Sequence, residues 1–335
     1  MSGPAKSCCT PTRVETGTTG DGLLSDLAAD ARVCATPDAQ RMVRIDAISF
    51  VMGTDSTEGF TDDGEGPSRT VSLSGFRISP TAVTNREFSA FVRATRYVTD
   101  AERLGSSFVF YLNVTASLRG EFRRALTGLP WWLDVRDASW QRPEGPMSSV
   151  HSRLDHPVVH VSWSDCQAYC AWSESRLPTE AEWECAARGR LTGQRFPWGN
   201  DFAHDGQLRC NIWRGTFPAA PTPGWTPGTV PVDAFEANGL GLYNVSGNIW
   251  EWCADWFSPT YHRDSPSTDP LTIVATGRRS MRGGSFLCHD SYCNRYRVAA
   301  RSSNSPSSSA SNIGFRVADD RLAANLPSEI ARRTG

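Results

Sequence analysis

Two cysteines five residues apart, Cys288 and Cys293, stand in the segment Arg282-Gly-Gly-Ser-Phe-Leu-Cys-His-Asp-Ser-Tyr-Cys-Asn-Arg-Tyr-Arg297. Thiolates are soft donors that suit Cu(I) or Zn(II). On a helix, an offset of five leaves two side chains about 140° apart. On a strand, an odd offset sends them to opposite faces. The pair converges only if the segment bends, and Gly283, Gly284 and the intervening Asp290-Ser291 favour a bend. A structural zinc site asks for four ligands, and no second cysteine pair of that kind stands nearby. Two-coordinate Cu(I) needs only these two. The same spacing also fits two unrelated buried thiols. His289 lies between the cysteines, but two-thiolate coordination needs no imidazole, and it is read as a bystander.

Three helix starts are marked by capping boxes, in which a hydroxyl and an acid or amide three residues on satisfy each other's backbone donors. They are Thr84-Asn-Arg-Glu87, Ser164-Asp-Cys-Gln167 and Thr179-Glu-Ala-Glu182. The first is followed by Phe88, Phe91 and Val92 on one face. The third predicts a helix through Trp183 and Ala187 that stops at Gly189. Cys166 and Cys170 share a helical face and read as buried packing thiols. A strand is expected near Met42–Ile45. From Phe196 to Arg316 the chain is dense in Gly, Pro, Asn and Trp. Regular elements there should be short, and their loops need pinning by aromatic packing, side-chain hydrogen bonds or cations.

The chain has 335 residues and a net charge of -2, which argues against nucleic acid or an anionic membrane as partner. No run of about 18 apolar residues exists, so no membrane span is expected. Met1 to Val43 holds no apolar core of the kind a signal peptide needs, which points to the cytoplasm. There most of the ten cysteines should be free buried thiols. Residues 1–40 read as a mobile tail, 41–322 as one domain and 323–335 as a second tail. The Cys8-Cys9 pair in the first tail reads as incidental.

The segment Gly283–Arg301, continued by Ser309-Ala-Ser-Asn312-Ile-Gly-Phe-Arg316, resembles the active-site signature of formylglycine-generating enzymes, the sulfatase-modifying factors, of bacterial type. Upstream, His156-Pro-Val-Val-His160-Val-Ser-Trp163, Arg176-Leu-Pro-Thr-Glu-Ala-Glu-Trp183, Phe196-Pro-Trp-Gly-Asn200 and Asn244-Val-Ser-Gly-Asn-Ile-Trp-Glu-Trp252 resemble that family in the same order, as does Thr84-Asn-Arg-Glu-Phe88. The resemblance covers roughly residues 41–320. The blocks Arg176–Glu184 and Gly247–Trp252 mark a broad superfamily that includes non-catalytic members. The cysteine pair with Ser285 and Asn312 points to the oxidase itself. The absence of a His-x3-His-x-Glu motif argues against a sulfoxide synthase.

The resemblance implies an α+β fold with C-type-lectin-like architecture and little regular secondary structure. It implies Cu(I) between Cys288 and Cys293, joined by the thiolate of a client sulfatase cysteine, which dioxygen oxidises to formylglycine. The client motif is Cys-x-Pro-x-Arg in an extended segment. Ser285, Trp250 and Tyr292 line the oxygen pocket, and Asn312 helps hold the client. Asn244, Gly247, Ile249 and Glu251 correspond to a calcium site. Asn211, Ile212 and Trp225 correspond to a second one whose usual acid is missing here. Two bridges of animal members are also missing: Cys170 faces Val317 in that pattern, and the other pair is Ala187 and Val298. The chain is expected to be a monomer. Two other functions fit less of the pattern: a lectin-like binding module without chemistry, and a copper-independent two-cysteine thiol oxidase.

Overall fold

The computed structural model describes residues 10–13, 42–126, 129–204 and 207–320. The fold is α+β with short elements. Its central sheet runs in the order Arg301–Asn304, Arg279–Arg282, Trp250–Trp256, Ile313–Gly314. Trp250–Trp256 is antiparallel to Arg279–Arg282, with Glu251 opposite Arg282, and parallel to Ile313–Gly314, with Trp250 opposite Ile313. Alternation along this strand sends Trp250 and Trp252 into one apolar cluster and Cys253 into the other. A second sheet pairs Ser106–Phe110 and Arg123–Leu126 with Leu129–Arg136 between them.

The capping boxes at Thr84 and Thr179 form as expected, opening helices Asn85–Thr95 and Glu180–Arg188, the latter closed by Gly189 at φ 59°. The box expected at Ser164 is displaced. The helix is Trp163–Trp172, and Ser162 caps it, with Asp165 as the reciprocal acid. Ser162 is fully buried, so its hydroxyl must be paired, and it bonds both Asp165 N and Asp100. Thr99 and Glu102 form a further box that opens the short helix Asp100–Leu104.

Glu180 anchors the helix Glu180–Arg188 to the sheet. Both its oxygens accept from Arg301, at 2.7 Å each, while Arg282 reaches Glu180 and Glu184. Burial pushes the Glu180 carboxyl up, but the Arg301 and Arg282 guanidiniums outweigh it and hold the group well below the ordinary carboxylate range. This fixes Arg282, the residue from which the two-cysteine segment leaves the sheet.

Cys166, Cys170, Cys185, Cys210 and Cys253 are free buried thiols, and Cys288 and Cys293 are buried as well. Cys166 and Cys170 pack in the larger cluster, as the packing reading has it, and burial pushes the Cys170 thiol up to about 12. Val317 lies in the same apolar cluster as Cys170, and Ala187 in the same cluster as Val298, and with no cysteine at 187, 298 or 317 neither bridge of the resembled family can form. Among the described residues no helix is long and apolar enough to cross a membrane. Cys8, Cys9 and the segment 323–335 lie outside the described residues. Within the segment read as a mobile N-terminal tail, Thr10–Arg13 departs from that expectation: it is packed on the domain, and Thr10 is 2% exposed.

Candidate functional site

Two consecutive turns bring the cysteines together. Cys288 N donates to Ser285 O at 2.9 Å, and Cys293 N donates to His289 O at 2.7 Å. The sulfurs end 3.2 Å apart, both buried. The glycines make the entry to these turns possible. Gly284 has φ +75°, and a Cβ there would sit 2.7 Å from Arg295 O. Ser285 N points at Cys288 Sγ, 3.4 Å away. His289 turns elsewhere: its Nδ1 lies 2.8 Å from Ser291 Oγ and 3.0 Å from Asp290 Oδ1.

Ser285, Asn312 and Trp250 meet on one side of the thiols. Asn312 Nδ2 donates to Ser285 Oγ at 2.9 Å, and Trp250 N donates to Asn312 O at 2.8 Å. Asn312 Oδ1 and Trp250 Nε1 are buried polar atoms with no partner within the protein. Leu287 N also donates to Ser285 Oγ, at 3.3 Å, so the hydroxyl accepts twice. Tyr292 stands on another wall, stacked on Phe217 at 4.9 Å and edge-on to Trp131 at 5.1 Å. Trp213 packs edge-on against Phe217 and donates its backbone N–H to Cys288 O. Sequence reasoning missed this wall of Trp131, Trp213 and Phe217. The only signal was aromatic density in two separate segments, the strand Leu129–Arg136 and the loop around 213–217. A cleft of about 530 Å³ opens beside it, lined by Trp213, Tyr296, His289 and Asp290.

The donor set fits Cu(I). Two soft thiols converge, and among the described residues no group of three or more His, Cys, Asp or Glu side chains could hold a metal ion.

The residues matched to calcium surround Gly283. Asn244, at φ 49°, has a buried Oδ1 without a partner. A Cβ on Gly283 would lie 3.4 Å from Val245 O and 3.7 Å from Ile249 O, so backbone oxygens converge on that hollow. Gly247 has φ +76°, its N donates to Gly283 O, and a Cβ would meet Asn211 O at 2.4 Å. Glu251 accepts from Arg316 through both oxygens and from Trp183 Nε1 at 2.7 Å. Three donors leave one of the four carboxylate lone-pair sites open. This oxygen set fits a hard cation. Asn211 gives its Nδ2 to Gly228 O and Asn248 Oδ1, and Trp225 packs edge-on to Trp213. With the backbone of Ile212, that second set supplies no anionic oxygen.

Residues 28–321 match the family model described as the sulfatase-modifying factor enzyme 1-like domain. The chain is 53% identical to a formylglycine-generating enzyme of Streptomyces coelicolor, covering 88% of this chain and 94% of that protein. It is 55% identical to one of Thermomonospora curvata, covering 85% and 95%. Among solved structures, PvdO from Pseudomonas aeruginosa superposes with a TM-score of 0.59 at 25% identity, over 83% of this chain and 94% of that one.

Proposed function

The chain belongs to the sulfatase-modifying factor enzyme 1-like family, and from that premise we propose that it oxidises a cysteine of a client sulfatase to formylglycine with dioxygen and Cu(I). The observation that carries this is the buried pair of thiols at 3.2 Å beside the Ser285–Asn312 couple. Bound by Cys288 and Cys293, Cu(I) would supply an electron-rich soft centre able to react with dioxygen.

The chain's own residues prepare the site. Ser285 Oγ accepts from Asn312 and Leu287, which leaves its proton for a group inside the site. Asn312 Oδ1, buried and unpartnered, offers an acceptor to a backbone N–H of an extended client. Trp250 and the wall of Tyr292, Phe217 and Trp131 keep bulk water away from the thiols. Calcium at Asn244, Glu251 and the carbonyls of Gly247 and Ile249 would brace the loop that carries Trp250, without taking part in chemistry. The set at Asn211, Ile212 and Trp225 is the weaker of the two calcium sites, for want of a carboxylate. The free buried thiols Cys166, Cys170, Cys185, Cys210 and Cys253 favour a reducing cytoplasm, and a monomer is the working assembly.

The test is a synthetic Cys-x-Pro-x-Arg peptide incubated with the protein, copper, a reducing thiol and air. Mass spectrometry should find a loss of about 18 Da at the cysteine, the thiol-to-aldehyde difference. Thiol oxidation that survives copper chelation would assign a dithiol oxidase instead. Failure to bind Cu(I) or convert the peptide would leave a binding module.

A further inference from the structure

Thr10–Arg13 is held on the domain by residues from 93 to 295 positions away in sequence. Arg13 N donates to Ser308 Oγ at 2.9 Å, and Arg13 Nη2 donates to Ser106 O at 3.0 Å and Ser106 Oγ at 3.4 Å. The guanidinium lies 5.2 Å over the Phe108 ring and 3.9 Å from Asp134 Oδ1. Asn304 Nδ2 donates to Pro11 O at 2.9 Å, and Ser305 Oγ donates to Arg13 O at 3.4 Å. Burial deepens toward the N-terminal end: the Arg13 side chain is 18% exposed, whereas Thr10 is 2% exposed and its Oγ1 has no partner.

The groove that holds this segment leads to the thiols. The strand Ser106–Phe110 and the stretch 307–312 run side by side, joined by Ser107 Oγ to Ser309 Oγ at 2.7 Å, the Phe108–Ala310 bridge and Ser311 N to Phe108 O. Four residues beyond Ser308, which binds Arg13, stands Asn312, which binds Ser285. Four residues span at most about 13 Å, and less here because Ile313 N donates to Ala310 O across a turn. Arg13 and Cys9 are also four residues apart. Cys9 lies outside the described residues and directly precedes the buried Thr10 in sequence. Residues 9–13 read Cys-Thr-Pro-Thr-Arg, the Cys-x-Pro-x-Arg pattern expected of a client.

We propose that Cys9 is a substrate of this chain's own site, residues 10–13 lying in cis in the groove that a client takes. The inference rests on the function proposed above. In the reaction the Cys9 C–S bond breaks and sulfur leaves as hydrogen sulfide, while the β-carbon becomes an aldehyde carbon. Dioxygen accepts four electrons, two from that carbon and two from a pair of small reducing thiols that end as a disulfide. One oxygen atom remains in the aldehyde and the other leaves as water.

Trypsin cuts after Lys6 and Arg13 and isolates residues 7–13 for mass spectrometry. After incubation of the full chain with copper, a reducing thiol and air, Cys9 should lose about 18 Da and react with an aminooxy probe, while Cys8 stays a thiol. Because the client is tethered, the rate should not change on tenfold dilution, and Arg13→Ala should slow it by about tenfold or more. The same variant should convert a separate Cys-Thr-Pro-Thr-Arg peptide at no lower a rate. Without copper, a labelled Ser-Thr-Pro-Thr-Arg peptide should bind Arg13→Ala at least about tenfold more tightly than the parent, whose groove is filled. Equal affinities would overturn the docking. A Cys9 that stays a thiol in protein that converts the separate peptide would overturn the proposal while sparing the function. If neither peptide nor Cys9 changed, the functional reading itself would fall, and this proposal with it.

Discussion

Arg316 grips Glu251 from both sides, Nε to Oε2 at 2.5 Å and Nη2 to Oε1 at 2.8 Å, with both side chains buried. The pair sits at the junction of the central strand and the loop that carries Asn244, because Arg316 Nη2 also donates to Tyr243 O. Removing one partner of a buried pair strands the other charge, at a cost of about 3–5 kcal/mol. Glu251→Gln should therefore lower stability by about that amount in a denaturant titration. Calcium and a chelator separate the two roles of the carboxylate. The parent's melting temperature should rise with calcium and fall with chelator, and the variant's should respond to neither. A parent indifferent to both would leave Glu251 as a partner of Arg316 alone.

The cysteine pair predicts a division between metal binding and folding. Cys288→Ser and Cys293→Ser each replace a soft donor with a hard one at nearly constant volume. Each variant should lose tight anaerobic Cu(I) binding and at least about a hundredfold in client conversion. Each should keep its stability within about 1 kcal/mol, because the surrounding packing is retained. A variant that still bound one tight equivalent of Cu(I) would show that the pair is not the copper site.

The legible parts of this fold were those written locally. Thr84 and Thr179 announce their helices because both halves of each capping box lie within four residues. The box at Ser162 was misplaced by two residues because Ser162-Trp-Ser-Asp165 and Ser164-Asp-Cys-Gln167 overlap, and burial beside Asp100 decides between them. The convergence of Cys288 and Cys293 was legible as a need for a bend, and two turns supply it. The aromatic wall was not legible, since Trp131 comes from the strand Leu129–Arg136 while Trp213, Phe217 and Tyr292 come from two loops far from it in sequence. Nor was the docking of Thr10–Arg13, whose partners at Ser106 and Asn304–Ser308 are fixed only by the tertiary fold.

Gly284 tests whether the bend is needed. Its φ of +75° disfavours any side chain, and a Cβ would press to 2.7 Å from a backbone carbonyl, Arg295 O, which has little room to move. Gly284→Ala should cost about 2 kcal/mol or more and should weaken Cu(I) binding along with stability. Gly105, at φ +70° with nothing within 4 Å of a Cβ, is the control. Gly105→Ala carries the conformational strain alone and should leave Cu(I) affinity unchanged. Equal losses of Cu(I) affinity in the two variants would refute a specific role for the turn at Gly284.

His160 couples the groove beside the site to pH. It is fully buried, with Nδ1 2.8 Å from Ser107 Oγ and Nε2 2.8 Å from Pro143 O. A carbonyl only accepts, so Nε2 carries the proton and Nδ1 accepts from the Ser107 hydroxyl. Burial pushes the imidazole down from 6.5 to about 4, against the opposing pull of the Pro143 carbonyl. Between those values the unfolded chain binds a proton that the folded chain refuses. This contribution to stability is therefore complete above pH 6.5 and is lost as pH falls toward 4. Its size is of order 3 kcal/mol. Asp165 has the opposite slope: burial and the neighbouring Asp100 raise its carboxyl to about 7, so its contribution is lost as pH rises through that range. The parent's profile alone would thus mix the two, and His160→Gln separates them, since an amide can still donate to Pro143 O and accept from Ser107. Urea titrations at intervals from pH 4.5 to 7.5 should show the variant losing less stability than the parent on acidification. Parallel profiles would mean that His160 is protonated in the folded protein, and that the Ser107–Ser309 contact does not depend on a neutral imidazole.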